Sequence, residues 1–205
     1  MNKKFLLTIG LVTVLASATQ ASQQQLAASI RETHAETSRT VEQLKATLAA
    51  ITAMTKQTKG DLRPAYKAYC EEVKKTEAAA AWTRTRVIWM AGDGRKYFQD
   101  WQTTIDGISN PSLKKKAQKR LDSVKASYDK VETSLKEAGE KFKPFLSDLS
   151  DITKALATDV TAGGVKAIKG TVSSANWNLQ YVDKAAKAAL KEMDKMQKAL
   201  STEAK

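Results

Sequence analysis

From Ala27 onward the apolar and small residues recur at alternating steps of three and four, the spacing of helices packed along a heptad seam. In the first segment the seam runs Ala27, Ile30, His34, Thr37, Val41, Leu44, Leu48, Ile51. It stops at Lys59-Gly60, where glycine suits the position beyond a helix end. Asp61 is placed to cap the next helix, with Pro64 in its first turn, where a missing amide hydrogen costs little. The second seam runs Tyr66, Cys70, Val73, Glu77, Ala80, Arg84, Val87, Ala91, Gly94, Phe98, Trp101, Ile105, Ile108. A loop at Gly92-Asp93-Gly94 would have no reason to preserve this register on both sides. The pattern therefore predicts a continuous helix there, weakened by about 1 kcal/mol for each glycine.

Ser109-Asn110-Pro111 is the clearest punctuation in the chain, with Asn110 a good cap and Pro111 preset for the first helical position. The third seam then runs Ala117, Leu121, Val124, Tyr128, Val131, Leu135, Ala138, Phe142, Phe145, Leu149, Ile152, Leu156. Pro144 lies inside it with the seam intact on either side, which predicts one helix kinked near Glu140. After a loop over Thr158 to Gly164 comes the fourth seam: Val165, Ile168, Val172, Ala175, Leu179, Val182, Ala186, Ala189, Met193, Met196, Leu200. No strand-like alternation of useful length occurs.

The expected fold is all-α: an elongated antiparallel four-helix bundle, or coiled coil of long helices, over about 22–58, 61–108, 111–157 and 164–201. A 45-residue helix is about 68 Å long at 1.5 Å per residue, so the expected object is a rod.

Composition narrows the class. At 42% hydrophobic and 27% charged, with nine Gly and three Pro in 205 residues, the chain is neither disordered nor collagen-like. One Cys and one His do not make a Cys/His zinc site, a disulfide framework or a CxxC redox centre. A formal charge of +12 points to anionic partners rather than to a fold.

Residues 1–21 read as a cleaved secretory signal: Lys3 and Lys4, an apolar run from Phe5 to Val14, then small residues. Cleavage after Ala18 or Ala21 fits, with Ala21 favoured, leaving residues 22–205 as a single domain with a charge of +10. The run is too short for a retained anchor of about 20 apolar residues. The expected location is periplasmic or secreted, and nucleic acid is not an expected partner.

In its later half the chain resembles a known family. Asn110-Pro111-Ser112-Leu113-Lys114, Lys119-Arg120-Leu121, Lys141-Phe142-Lys143-Pro144-Phe145-Leu146 and the spacing of Val172, Leu179, Val182 and Met193 are similar to a bacterial envelope family known only as domain of unknown function number twenty-nine fifty-nine. The resemblance covers about 65 to 200. It implies a helical envelope protein, often a lipoprotein, with no assigned activity or site residues. This chain differs in being strongly basic and in lacking a lipidation cysteine.

No catalytic constellation emerges. His34 on the seam reads as a hydrogen-bonded residue setting register, and Cys70 as a small buried residue, with an interchain disulfide as its alternative. Glu77 and Arg84 take seam positions one heptad apart, where charges need partners. Glu32, Glu36 and Glu77 with His34 do not form a ferritin-like set, which requires Glu-x-x-His on two helices. No metal and no cofactor are expected. Trp82 and Trp89 share an outward helical face with Arg84 and Arg86 beside them, suited to a partner or a membrane headgroup region. Burial by a wider bundle or a dimer is the alternative. Lys114, Lys115, Lys116, Lys119 and Arg120 put five cations in seven residues, suited to an anionic lipid or envelope polyanion, or simply solvated. The expected function is thus a non-enzymatic exported scaffold or interaction factor, partnered by an envelope protein or by itself as a dimer. The alternative is a peripheral protein binding anionic headgroups through a basic, Trp-bearing face.

Overall fold

In a computed structural model, the backbone of residues 3–57 and 60–202 and the side chains of 18–57 and 60–201 are described. The chain is all-α: α1 (Lys3–Lys56), α2 (Arg63–Asp106), α3 (Pro111–Thr158), α4 (Ala162–Ala167) and α5 (Lys169–Thr202), with no strand among the described residues. Cα proximity divides it into two compact units. Unit 1 takes α1 to His34, α2 from Arg86, α3 to Thr133 and α5 from Lys191. Unit 2 takes the intervening stretches of all four long helices together with α4.

The boundaries follow local chemistry. Gly60 has φ 90°, a left-handed conformation that favours glycine. Asp61 accepts a bond from the Arg63 amide at 3.0 Å, and its carboxylate also holds the Arg63 guanidinium. Asn110 caps α3 by accepting from the Leu113 amide at 3.1 Å. The helix predicted through Gly92-Asp93-Gly94 is continuous, and α3 runs unbroken through Pro144.

Two boundaries differ from expectation. Instead of beginning at Ser22, α1 extends upstream through Ala21 and Ala18, and Thr19 is tied to Thr104 and the Asp100 carbonyl. The export segment expected over 1–21 falls largely on residues 1–17, whose side chains lie outside the described ones, as does Lys59. The fourth helix is two. Thr161 caps α4 by accepting from the Gly164 amide, Ile168 ends it near φ −82° and ψ −7°, and α5 restarts at Lys169. Gly164 is required there: a Cβ on it would sit 2.1 Å from the Asp159 carbonyl oxygen.

In unit 1, Leu26, Ile30, Tyr97, Phe98, Ile105, Leu121, Tyr128, Met193 and Met196 are buried. Three rings form a tilted stack, Tyr97 to Phe98 at 5.1 Å and Phe98 to Tyr128 at 5.5 Å between centroids. The Tyr128 hydroxyl donates to the Met90 carbonyl at 3.0 Å, and burial raises its pKa far above the ordinary phenol value. That ring needs the missing side chain of Gly94, where a Cβ would lie 2.5 Å from it. In unit 2 the core is Leu44, Leu48, Ile51, Tyr69, Phe145, Leu149, Ile152, Leu156, Val172 and Leu179, with neighbours. Tyr69 and Tyr66 donate to the Leu149 and Thr153 carbonyls of α3.

The third and fourth seams are buried almost position for position. The second is corrected in part, since its Val73, Gly94, Phe98 and Ile105 are buried. Glu77 and Arg84 are exposed, and one residue earlier Thr76 is fully buried and Thr83 half-buried. The inward positions of α2 repeat every seven residues as Tyr69, Thr76, Thr83, Met90 and Tyr97, a series that buried Leu62 begins just ahead of the helix. Threonine wins because its hydroxyl finds partners across the helix pair, whereas an unpaired buried charge is expensive. In unit 2, the Thr47 hydroxyl lies 3.0 Å from the Glu72 carbonyl and 2.8 Å from the Thr76 hydroxyl, within hydrogen-bond distance of both. The Thr40 hydroxyl is placed likewise against the Ala79 carbonyl and the Thr83 hydroxyl. In unit 1, Thr19 meets Asp100 and Thr104, and Thr33 donates to the Arg86 carbonyl. Each bond falls on a carbonyl one turn before the facing residue.

Two predictions follow from this packing. Gly94→Ala forces a methyl into the Tyr128 ring and costs about 1–3 kcal/mol, while Gly92→Ala, whose Cβ meets only Arg95 at 3.9 Å, is neutral or stabilising by up to about 1 kcal/mol. Denaturant titration separates them, and equal stabilities would contradict the ring contact. Thr47→Val strands the Thr76 hydroxyl and costs about 1–3 kcal/mol, whereas Thr47→Val with Thr76→Val recovers part of that loss. A strictly additive double-mutant cycle would contradict the pairing.

Candidate interaction surfaces

Because Thr83 and Met90 face inward, the residues just before them, Trp82 and Trp89, face out. Trp89 is 49% exposed and its neighbour Ile88 59%. Trp82, in unit 2, is exposed beside exposed Arg84. In unit 1 the Arg86 guanidinium lies 5.1 Å from the centre of the Trp89 ring, a cation–π distance. Its Nη1 also donates to Glu32 at 2.5 Å. Arg86 is therefore held from two sides, and Trp89 presents a ring whose orientation is braced by its own helix and by α1. The structure brings Arg86 and Trp89 together; it gives Arg84 no such role.

The basic run divides as well. Lys114 turns back to the α2 C-terminus, bonding the Asp106 carbonyl at 3.3 Å and pairing with its carboxylate at 3.5 Å. Lys115, Lys116, Lys119 and Arg120 are exposed. The seam position ahead of Ala117 is Leu113, left 56% exposed in the middle of these cations.

His34 is partly exposed and pairs with Asp194 at 3.4 Å, while neighbouring Thr33 and Thr37 are buried. Cys70 is half-buried against the unit 2 core, since Tyr69 takes the inward position. Beside it, burial above all, with the bond to Cys70, raises the Tyr66 hydroxyl to about 12. Glu36 is buried and bonded by Arg39 at 3.2 Å. Among the described residues no three His, Cys, Asp or Glu side chains are grouped as metal ligands would be, and no helix is long and apolar enough to cross a membrane.

Sequence reasoning missed Trp177 and Tyr181 of unit 2, four apart on α5 and both more than half exposed. The signal was available, because both lie off the seam formed by Ala175, Leu179 and Val182. Each unit also has one open groove between α1 and α5. The groove in unit 2, about 540 Å³, is floored by Val41, Ala46, Ala186 and Leu190 and rimmed by paired charges. The groove in unit 1, about 460 Å³, is lined largely by glutamines.

Asp183, on the rim of the unit 2 groove, accepts from Lys187 at 2.6 Å and lies 3.4 Å from Lys45. The Lys187 bond, with help from Lys45, holds its carboxyl below the ordinary value. A lowered folded pKa stabilises the fold above the unfolded carboxyl value near 3.9, and that stabilisation is lost as pH falls through the folded value. Asp183→Asn should therefore cost about 0.5–1 kcal/mol at neutral pH, with the difference closing in strong acid. Urea midpoints of both proteins across the acid range measure this, and a gap independent of pH would refute it.

No curated protein matches the chain. A family described as Protein of unknown function (DUF2959) matches it over residues 17–200, which takes in both units and every seam analysed above. The chain belongs to that family, which it matches along almost its whole length.

Proposed function

We propose that this is an exported, non-enzymatic helical scaffold that works by surface contact, with the Trp89 face of α2 as its principal docking point. The observation that carries the reading is the braced ring: an exposed tryptophan beside exposed Ile88, stacked by an arginine that Glu32 holds in place. Large, rigid aromatics next to arginine dominate binding energy at protein interfaces because they bury much area at little entropic cost. A half-exposed ring that an arginine holds in place suits a partner envelope protein or a second copy of the chain.

The scaffold part of the proposal is an antiparallel four-helix arrangement within each unit. Partners on α2 descend in number as those on α1 rise: Thr40 meets Thr83 and Thr47 meets Thr76 in unit 2. The α2–α3 pairs Tyr66 with Thr153 and Tyr69 with Leu149 descend likewise. Short connections between long helices produce this topology. The basic, apolar start of the chain and the small residues around Ala18 and Ala21 support export.

A photo-crosslinking residue in place of Trp89, in cells of the source organism, tests the contact. A discrete adduct that disappears with Ile88→Ser, and that a probe at exposed Lys136 does not yield, is the expected result. Equal labelling from both positions would overturn the reading. Fractionation and the mass of the recovered chain test export, with the full-length mass in the cytoplasm as the contrary outcome.

A further inference from the structure

We propose that the end of unit 1 where α2 hands over to α3 docks on an anionic phospholipid surface, with Lys115, Lys116 and Lys119 on the headgroups and Leu113 inserted beside them. This goes beyond the protein contact at Trp89 and uses a different surface.

Four observations support it. Among the described residues Lys115, Lys116 and Lys119 make no ion pair, although the adjacent Lys114 does. Acidic side chains elsewhere on α3 are matched locally, as Lys125 with Asp129 and Lys143 with Glu140. Next, Lys115 and Lys116 lie just past the first turn of α3, at the end where the helix dipole does not attract positive charge. None of the three lysines has a neutralising partner among the described residues. Then, Leu113 is an apolar side chain in an apolar seam position, yet it is left mostly in water. At 100° per residue Leu113 and Lys116 are about 60° apart around the helix, and Lys119 and Lys115 continue the same arc. Finally, neither groove includes these residues. A soluble anion is bound by donors that converge on it, whereas cations fanned over one side of a helix, with Lys116 next to an exposed leucine and Lys119 and Lys115 successively farther round, fit a plane of negative charge with an apolar layer beneath.

The test is co-sedimentation of the full chain with phosphatidylcholine vesicles, with and without phosphatidylglycerol, at low and high salt. Binding specific to the anionic vesicles and lost in high salt is expected. Each cation near such a surface contributes about fivefold in affinity, so Lys115→Glu with Lys116→Glu and Lys119→Glu should weaken that binding at least tenfold. Lys166→Glu with Lys169→Glu and Lys184→Glu carries the same charge change on exposed positions of unit 2 and should weaken it far less. Leu113→Ser should weaken it severalfold while leaving the salt dependence unchanged. Equal losses in the two triple variants would mean that net charge alone drives binding, and would overturn the proposal. So would an unaffected Leu113→Ser protein, an absence of binding to anionic vesicles at low salt, or full displacement by an equal concentration of inorganic phosphate. Circular dichroism of each variant confirms that the helices persist.

Discussion

The threonine hydroxyls between α1 and α2 set the terms for the helices that carry them. A hydroxyl removed from water costs free energy unless it is bonded, and each threonine here has one hydrogen to donate. Thr40 and Thr47 in unit 2, and Thr19 and Thr33 in unit 1, each reach the carbonyl one turn before the residue they face. Within either unit a slip of one turn would break these cross-helix bonds, although Thr47 would keep its bond to the Gln43 carbonyl of its own helix. An apolar seam of alanine and valine would tolerate such a slip far better. Hydrogen bonding thus supplies the register, and the apolar residues supply the driving force.

Small threonines on the α1 side leave α2 free to carry its bulk toward α3. In unit 1 that bulk is the Tyr97, Phe98 and Tyr128 stack, which Gly94 makes possible by offering no side chain. In unit 2 it is Tyr69, fully buried, with its hydroxyl on the Leu149 carbonyl. The same rotation of α2 that turns Thr76, Thr83 and Met90 inward turns Trp82, Ile88 and Trp89 to solvent. The tryptophans face outward with the seam on Arg84 and Ala91 as well as with it on Thr83 and Met90, so the exposed face is common to both phases of α2.

Charge is arranged differently at different places on this basic chain. Many cations sit beside a carboxylate, often three or four residues away on the same helix, where each pair is worth only a few tenths of a kcal/mol, while others, such as Lys136, Lys166 and Lys169, make no ion pair among the described residues. Arg86, held by Glu32 and stacked on Trp89, spends its charge in orienting a ring. Lys115, Lys116 and Lys119 belong to the cations without an ion pair, and what distinguishes them is their placement on one helix with the exposed Leu113.

The all-helical class, the four long helical segments and the caps at Asp61 and Asn110 were legible in the sequence, as was continuity through Gly92 to Gly94 and Pro144. Heptad spacing and cap chemistry are local properties, and local rules read them. The seams of α3 and the last segment were legible for the same reason, being strongly apolar at nearly every step. On α2 the apolar signal is weak, and alanine, threonine, glutamate and arginine leave two phases one residue apart almost equally plausible. Only the tertiary structure decided between them, because a threonine is a good interior residue when a carbonyl of another helix is within reach and a poor one otherwise. The break at Ile168, the exposure of Leu113 and the bracing of Trp89 by Arg86 and Glu32 were decided in the same way, by groups distant in the chain. The sequence by itself determined which segments are helical; the partners each helix meets determined which way it faces.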